Sequence, residues 1–151
     1  MAERLVASNK RARRDYEIQD TVEAGIVLQG TEVKSLRAGQ ADLTGSFARV
    51  EGGEVWLYDC HIPPYKEGGY INHEPKRPRK LLLHKSEIRR LIGKVAQQGI
   101  TLIPLKLYFH GGYAKVLLAV ARGRAKADKR YRIAEEEARR EIKLAVRRIK
   151  G

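Results

Sequence analysis

The chain has 151 residues, of which 31 are Lys or Arg and 18 are Asp or Glu, giving a formal net charge of +13. Hydrophobic residues make up 42% of the sequence, which is enough for the core of one domain. The single cysteine, Cys60, excludes an internal disulfide and a zinc site built from several cysteines, and is typical of the reducing cytosol. So basic a chain favours a polyanionic partner, and nucleic acid is favoured over an anionic membrane because basic residues occur along the whole sequence.

The sequence predicts neither a transmembrane segment nor a secretion signal. The apolar stretch around Leu105 is interrupted by Thr101, Pro104 and Lys106, so it is too short and too polar to span a bilayer. The first residues lack the apolar region of a signal peptide. We therefore expect a cytoplasmic protein without a membrane partner.

The first predicted elements are a basic arm, a strand and a short helix. Residues 1–14 are polar and basic and are predicted to form a mostly extended arm. Apolar and polar residues alternate over 22–28, which predicts a strand with Glu23 on its exposed face. A helix is predicted over 31–38, with Thr31 as its N-cap.

Two β-hairpins are predicted from pairs of glycines. Gly52-Gly53 separates strands over 47–51 and 54–59, and Gly111-Gly112 separates strands over 100–109 and 113–121. Glycine permits the positive φ angles that tight hairpin turns require.

A long loop, a short strand and a helix lie between the hairpins. The loop over 61–79 contains four prolines, and loops of such length are usually functional or disordered. A strand follows over 80–83, and apolar residues at helical spacing predict a helix over 85–98. Residues 15–121 therefore form a mainly β domain, interpreted as a small antiparallel barrel of oligonucleotide-binding type with flanking α-helices. A split sheet with helices on one face is the alternative.

The last thirty residues, 122–151, form a basic tail with twelve Lys or Arg against five Asp or Glu. Apolar residues recur at helical spacing in the tail, at Ala134, Ala138, Ile142, Ala145 and Ile149. Three of the five are alanine, so the helix would bury little apolar surface and would be marginal alone. We expect a tail that is disordered when free and helical when a partner holds it.

Catalytic motifs are missing from the sequence. The four histidines are scattered without metal-binding spacing, and neither a phosphate-binding glycine loop nor a nucleophile elbow occurs. We therefore expect no enzymatic activity, no metal and no cofactor. A small nuclease that uses His73 or His110 is an alternative from another class, and a basic structural ribosomal protein or a general RNA-binding translation factor is a further one.

Six short segments occur in an order and spacing that resemble the SmpB family, the tmRNA-binding (SsrA-binding) proteins of bacterial trans-translation. The segments are NKRA at 9–12, GTEVKSLRAG at 30–39, NHEP at 72–75, RPRKLLL at 77–83, TLIPLKLYF at 101–109 and DKR at 128–130. Each segment alone is weak, but the ordered set is specific, and the resemblance extends from about residue 8 into the tail.

The resemblance implies a fold, a role and a set of partners. The fold is an antiparallel barrel of oligonucleotide-binding type with flanking helices. The role is to bind the tRNA-like domain of tmRNA and deliver it, with elongation factor Tu held indirectly through tmRNA, to ribosomes stalled without a stop codon. The tail would then enter the vacant mRNA channel and decoding centre of the small subunit, against its ribosomal RNA.

Glu23, Leu82 and Lys115 match the family positions that contact tmRNA. The alternation of the sequence makes each plausible. Glu23 lies opposite an apolar strand face, Leu82 points away from its neighbours Leu81 and Leu83, and Lys115 alternates with Val116 in the same manner. A carboxylate accepts hydrogen bonds from base edges in an unpaired loop, a leucine packs on a splayed base, and a lysine binds phosphate or a base acceptor. A solvated carboxylate, a core leucine and a solvent-facing lysine are the ordinary alternatives.

Other residues are assigned to positioning of the RNA. Asn9, Lys10, Arg11 and Arg13 are interpreted as phosphate and sugar contacts, with a merely solubilising arm as the alternative. Tyr65, Tyr70 and His73 of the long loop are candidates for stacking on bases, although closing the barrel suits the tyrosines equally well.

The tail carries the predicted ribosome contacts. These residues are Lys126, Asp128, Lys129, Arg130, Tyr131, Arg139, Arg140, Lys143, Arg147 and Arg148. Many family members have histidine or tyrosine where this chain has Ala127, and tryptophan where it has Ala138. The chain therefore lacks these rings, and Lys126 or Tyr131 is the candidate substitute for stacking in the decoding centre.

Overall fold

The structure is a computed structural model and describes residues 3–69 and 71–123. This part of the chain contains seven strands and three α-helices. In chain order they are β1 Glu3–Ser8, α1 Ala12–Asp15, β2 Tyr16–Ile26, α2 Gly30–Arg37, β3 Phe47–Glu51, β4 Glu54–Tyr58, β5 Arg79–Leu82, α3 Lys85–Val95, β6 Ile100–His110 and β7 Tyr113–Gly123. A single turn of 3-10 helix, Lys66–Gly68, lies in the long loop.

The strands form one antiparallel sheet in the order β1-β6-β3-β4-β5-β2-β7, and β6 also pairs with β7. The pairings of β6, β3, β4, β5, β2 and β7 therefore return to their starting strand and form a ring. Strand β6 pairs with β3 at a single residue pair, Leu102 with Ala48. Further along the same edge, β6 pairs with β1. This arrangement agrees with the oligonucleotide-binding type of fold that the sequence predicts, rather than with an open split sheet.

The core fills the inside of the ring because inner-face positions of the strands are apolar. Val22, Ala24 and Ile26 of β2 are at least 92% buried, while Glu23 between them is exposed, as the alternation predicts. Leu36 of α2 and Leu91 of α3 are fully buried in the same cluster. Burial of each such side chain contributes about 1.5–3 kcal/mol.

A second, smaller apolar cluster covers part of the outer face of the β6–β7 hairpin. Ala12 of α1 packs there on residues whose side chains point away from the ring interior, namely Ile103, Leu105, Ala119 and Ala121. Helix α1 therefore closes one end of this outer face and leaves the other end, near Lys115, open.

The first strand is a difference from the sequence-based prediction. Residues 3–8, predicted as part of a basic arm, are extended but pair along β6, with a register shift between Leu5 and Ala7. Strand β2 likewise begins at Tyr16, before the predicted residue 22, and its register shifts between Ile18 and Asp20. Such irregularities break the alternation that marks a strand in sequence. The division into 1–14, 15–121 and 122–151 stays a prediction.

The predicted N-cap of α2, Thr31, is wrong. The helix begins at Gly30 after Gln29, whose backbone N–H donates to Glu32 Oε1 at 2.7 Å. The Thr31 hydroxyl instead lies 2.8 Å from His73 Nδ1 in the long loop. The Thr31 hydroxyl oxygen, which the sequence assigns to the helix cap, is thus used in a tertiary contact.

Both predicted hairpins are confirmed, and Gly52 and Gly53 have φ angles of 61° and 79°. The predicted 85–98 helix ends at Val95. No helix in the described ranges is long and apolar enough to cross a membrane. Tyr70 and the tail from residue 124, with its predicted stripe and all ten candidate ribosome contacts, lie outside the described residues.

Candidate RNA interface

Three neighbouring strands bring Leu82 and Lys115 together around a glycine. In the strand register Gly25 of β2 lies opposite Leu82 of β5 on one side and Lys115 of β7 on the other. Glu23 precedes Gly25 by two residues, so it shares the outer face. These residues, with Leu83, His84 and Glu87, line a cleft of about 450 Å³, which we call the Glu23 cleft. Residues that are 92 positions apart in sequence thus form one site.

Leu82 is 51% exposed although it lies in a strand between Leu81, which is buried, and Leu83, which packs against the core. Its predicted outward orientation is confirmed. The side chain lies over the backbone of Gly25, and a Cβ added at residue 25 would come within 3.3 Å of Leu82 Cβ. The glycine therefore provides the space that Leu82 occupies on the outer face.

The exposed carboxylate of Glu23 is held by a buried tyrosine. The phenol of Tyr108, on β6, donates a hydrogen bond of 2.5 Å to Glu23 Oε2, and Tyr108 is 2% exposed. Burial, and then the bond to Glu23, raise the pKa of Tyr108 above its usual range, so the phenol stays protonated and remains the donor. Glu23 Oε1 has no hydrogen-bond partner in the described part of the chain, so it is free to accept one.

Lys115 is half-buried and lies opposite Tyr108 across the β6–β7 pair. Within residues 3–69 and 71–123 it has no ion pair, whereas Lys106 on the same hairpin pairs with Glu3 at 3.3 Å. The Glu23 cleft therefore offers an acceptor, a positively charged donor and an exposed leucine around Gly25.

The basic residues near the N-terminus lie elsewhere on the molecule. Asn9 is tied to β6, because its Nδ2 donates to Pro104 O at 3.1 Å and its backbone N–H to Leu105 O at 2.8 Å. Lys10, Arg11 and Arg13 are exposed.

A second cleft of about 420 Å³ lies beside these residues, lined by Asn9 and Arg11 together with Phe47 and Ile103. Ile103 pairs with Ala119, four residues from Lys115 along β7, which corresponds to about 13 Å of strand. The structure therefore does not bring the N-terminal residues into the Glu23 cleft.

The structure corrects the prediction that His73 stacks on a base. His73 is 5% exposed, its Nε2 lies 2.7 Å from Ile62 O, and its Nδ1 lies 2.8 Å from the Thr31 hydroxyl. A carbonyl oxygen only accepts, so Nε2 carries a proton and donates to Ile62 O. With both nitrogens engaged and the ring buried, His73 is available neither for stacking on a base nor as the general base of a nuclease. Tyr65 is half-buried, with Lys34 Nζ 5.6 Å from its ring centroid.

A buried ion-pair network was not expected from the sequence. Glu32 is fully buried and binds two arginines: its Oε2 accepts from Arg79 Nε at 2.7 Å and its Oε1 from Arg77 Nη2 at 2.6 Å. Burial alone would raise the pKa of Glu32, but hydrogen bonds from Arg77 and from the Gln29 N–H, with the charge of Arg79, lower it below its usual value.

The same network ties α2 to β5 and the long loop. Arg79, also fully buried, donates to Cys60 O at 2.7 Å and to Pro75 O at 3.0 Å. Two segments that carry the family resemblance, 30–39 and 77–83, therefore support the fold through these side chains. In the sequence, the arginines at alternate positions 77 and 79 were the signal that could have indicated this ion-pair network.

Cys60 is fully buried, and burial raises the pKa of its thiol to about 11, so the thiol stays protonated at neutral pH.

The chain is similar to known proteins over nearly its whole length. A family model described as SmpB protein matches residues 6–148. An SsrA-binding protein of Acidothermus cellulolyticus is 62% identical over 149 residues, which cover 98% of this chain and 94% of that protein. An SsrA-binding protein of Carboxydothermus hydrogenoformans is 56% identical over 145 residues, covering 96% and 97%.

A similar fold occurs in a solved structure described as "tmRNA-SmpB: a journey to the center of the bacterial ribosome". The matching chain is 64% identical, with a TM-score of 0.67, and the match covers 78% of this chain and 82% of that one. Sequence and fold therefore point to the same set of relatives.

Proposed function

The chain belongs to the SmpB family, and we propose that it is an adaptor that binds tmRNA and brings it to stalled ribosomes for trans-translation. Membership rests on a family model that spans residues 6–148 and on relatives that match nearly the whole chain. The solved structure of a similar chain is described as tmRNA-SmpB in the bacterial ribosome, which supports tmRNA and the ribosome as partners. The adaptor acts by binding, without a catalytic step of its own.

The Glu23 cleft is the proposed contact with the tRNA-like domain of tmRNA. The observation that supports it most is that Glu23, Leu82 and Lys115, drawn from three strands, line one open cleft on the outer face. An acceptor, an exposed apolar surface and a positively charged donor are the groups that bind an unpaired RNA loop.

The N-terminal basic residues are proposed to position the RNA. Lys10, Arg11 and Arg13 are exposed, and lysine and arginine there would contact phosphate or sugar without reading sequence. Asn9 contributes indirectly, because its side chain anchors this segment to β6. A long RNA surface would therefore cross the outer face from the Glu23 cleft towards α1.

The tail is proposed to contact the small subunit and its ribosomal RNA. Its net charge of +7 suits the phosphates of the vacant mRNA channel and decoding centre. The residues we assign to these contacts are Lys126, Asp128, Lys129, Arg130, Tyr131, Arg139, Arg140, Lys143, Arg147 and Arg148. Elongation factor Tu would be a partner through tmRNA rather than through direct contact.

Purification of the protein from cells, followed by sequencing of the bound RNA, tests this function. We expect tmRNA to be enriched far above its share of cellular RNA, and the protein to be substoichiometric to ribosomes. A structural ribosomal protein would instead be recovered with all ribosomes in equal amount and without selective enrichment of tmRNA. That result would overturn the proposal.

A further inference from the structure

The Glu23 cleft is large enough to admit a flat group and has an apolar wall. Its volume of about 450 Å³ falls within the usual range for small-ligand sites. One wall is the exposed side chain of Leu82, which lies over the backbone of Gly25 where no side chain intrudes. A nucleobase that has left its stack would pack against this leucine.

The charges around the cleft favour a base over a phosphate. Two carboxylates, Glu23 and Glu87, line the cleft together with Lys115 and His84, and His110 Nδ1 lies 3.8 Å from Glu23 Oε2. Glu87 is fixed, because its Oε1 accepts from the backbone N–H of His84 at 2.9 Å at the start of α3. A phosphate inside the cleft would be repelled by both carboxylates, whereas a neutral group that donates hydrogen bonds would be attracted.

The orientation of Glu23 leaves acceptor positions open. Its Oε2 accepts from Tyr108, and its Oε1 has no partner within the described residues. An ionised carboxylate has about four acceptor positions on its two oxygens, so at least two stay available for a ligand. Because the donor is a buried phenol, the carboxylate is held in place before RNA arrives.

Among the four bases, guanine matches this arrangement best. Its pairing edge carries two adjacent donors, N1–H and the 2-amino group, which together fit one carboxylate, and its O6 and N7 are acceptors for a lysine. Adenine, cytosine and uracil each present one donor group on that edge. We propose that the Glu23 cleft binds one unpaired guanine of the RNA, an inference that rests on the proposed function. The Glu23 carboxylate accepts hydrogen bonds from N1–H and the 2-amino group, and Leu82 packs against the base.

The test replaces guanosine with inosine, which lacks the 2-amino group. A pool of tRNA-like-domain transcripts with inosine phosphorothioate at random guanosines is bound to the protein, and cleavage with iodine maps the positions depleted from the bound fraction. We expect depletion at an unpaired guanosine, corresponding to a loss of affinity of about tenfold at that position.

Two variants assign the effect to the cleft. With Glu23→Ala the overall affinity falls, but inosine at this guanosine causes no further loss. With the matched variant Glu17→Ala, an exposed carboxylate of the same strand, the depletion stays as in the unmodified protein. Positions where inosine merely weakens RNA folding would be depleted with all three proteins, so they cancel in the comparison.

The outcomes separate this proposal from the function on which it rests. If the protein does not prefer the unmodified domain over an ordinary tRNA, the proposed function fails. If it binds the domain but no unpaired guanosine is sensitive to inosine, or if the sensitivity persists in Glu23→Ala, then the guanine site is wrong and the adaptor role stands.

Discussion

The buried phenol of Tyr108 donates a 2.5 Å hydrogen bond to the exposed carboxylate of Glu23, across β6, β7 and β2. The tyrosine is 2% exposed and so does not itself face a partner. Its hydroxyl orients one oxygen of the carboxylate and leaves the other free to accept a hydrogen bond from the RNA that we propose as the ligand. Tyr108 is therefore a positioning residue for the cleft.

Removal of the Tyr108 hydroxyl should weaken RNA binding, and the whole effect should come from the loss of its hydrogen bond to Glu23. We expect Tyr108→Phe to lower affinity for the tRNA-like domain by about three- to tenfold, the worth of one hydrogen bond. Fluorescence anisotropy measures the affinity, and a double-mutant cycle isolates the coupling. In a Glu23→Ala background the same change should have no effect.

The control for this cycle is Tyr113→Phe, which removes a hydroxyl from a tyrosine that is 73% exposed on β7. It should leave affinity unchanged. An equal loss for Tyr108→Phe with and without Glu23 would show that the hydroxyl acts on the fold rather than on the carboxylate.

A methyl group at residue 25 should displace Leu82. Because a Cβ there would come within 3.3 Å of Leu82 Cβ, Gly25→Ala forces the leucine to shift, and Gly25→Val forces it further. We expect Gly25→Val to lower RNA affinity by about tenfold or more, with a smaller loss for Gly25→Ala. Both affinities are measured by anisotropy, with thermal melting to verify folding.

The matched substitution is Gly93→Ala on α3, where an added Cβ meets nothing within 4 Å. Alanine should raise stability there by about 0.5–1 kcal/mol, because it is the better helix former, and should leave RNA affinity unchanged. If Gly25→Val binds RNA as the unmodified protein does, the packing of Leu82 over Gly25 has no role in recognition.

Loss of Glu32 should destabilise the fold. Glu32→Ala leaves the buried Arg79 and the partly buried Arg77 without their carboxylate, and breaking such a buried pair costs about 3–5 kcal/mol. The free energy of unfolding in urea measures the loss. Glu17→Ala, at an exposed position, should change it by less than about 0.5 kcal/mol.

The pH dependence follows from the lowered pKa of Glu32. A carboxyl group with a lowered folded-state pKa stabilises the fold fully above its usual value of 4.5, and this contribution is lost as the pH falls through the folded-state pKa. The difference in stability between the unmodified protein and Glu32→Gln should therefore be constant near neutral pH and shrink in acid. A difference that grows in acid would contradict the assignment.

Truncation should separate the two proposed binding surfaces. Strand β7 continues to Gly123, and Arg122 donates to Gln98 O at 3.2 Å, so the cut belongs after residue 123 rather than before 122. A chain ending at Gly123 should bind the tRNA-like domain with nearly full affinity. It should fail to support tagging of stalled chains in reconstituted translation, and retained tagging would refute the role of the tail.

Much of the site was predictable from local pattern, but its assembly was not. Alternation alone places Glu23 outward on β2 and Leu82 outward on β5, and paired glycines locate both hairpins. The adjacency of residues 25, 82 and 115 depends on which strands pair, and short sequence segments do not encode that choice. The family resemblance supplied it.

One wrong prediction and two missed features have a common physical origin in long-range contacts. Thr31 was predicted to cap α2, but His73, 42 residues away, binds its hydroxyl. Glu32 and Arg79 are charged and would ordinarily be solvated, yet they are buried because they satisfy each other. Tyr108 lies in the segment 101–109, and its hydrogen bond to Glu23 joins residues 85 positions apart.

The most direct test of the account compares two exposed aliphatic residues. Leu82, at 51% exposure, lines the Glu23 cleft, whereas Ile92, at 44%, lies on α3 and is not among the residues that line it. Affinity for the tRNA-like domain should fall about thirtyfold or more for Leu82→Asp and stay within about twofold for Ile92→Asp, with both variants folded by thermal melting. Equal affinities for the two folded variants would contradict the assignment of the Glu23 cleft as the tmRNA site.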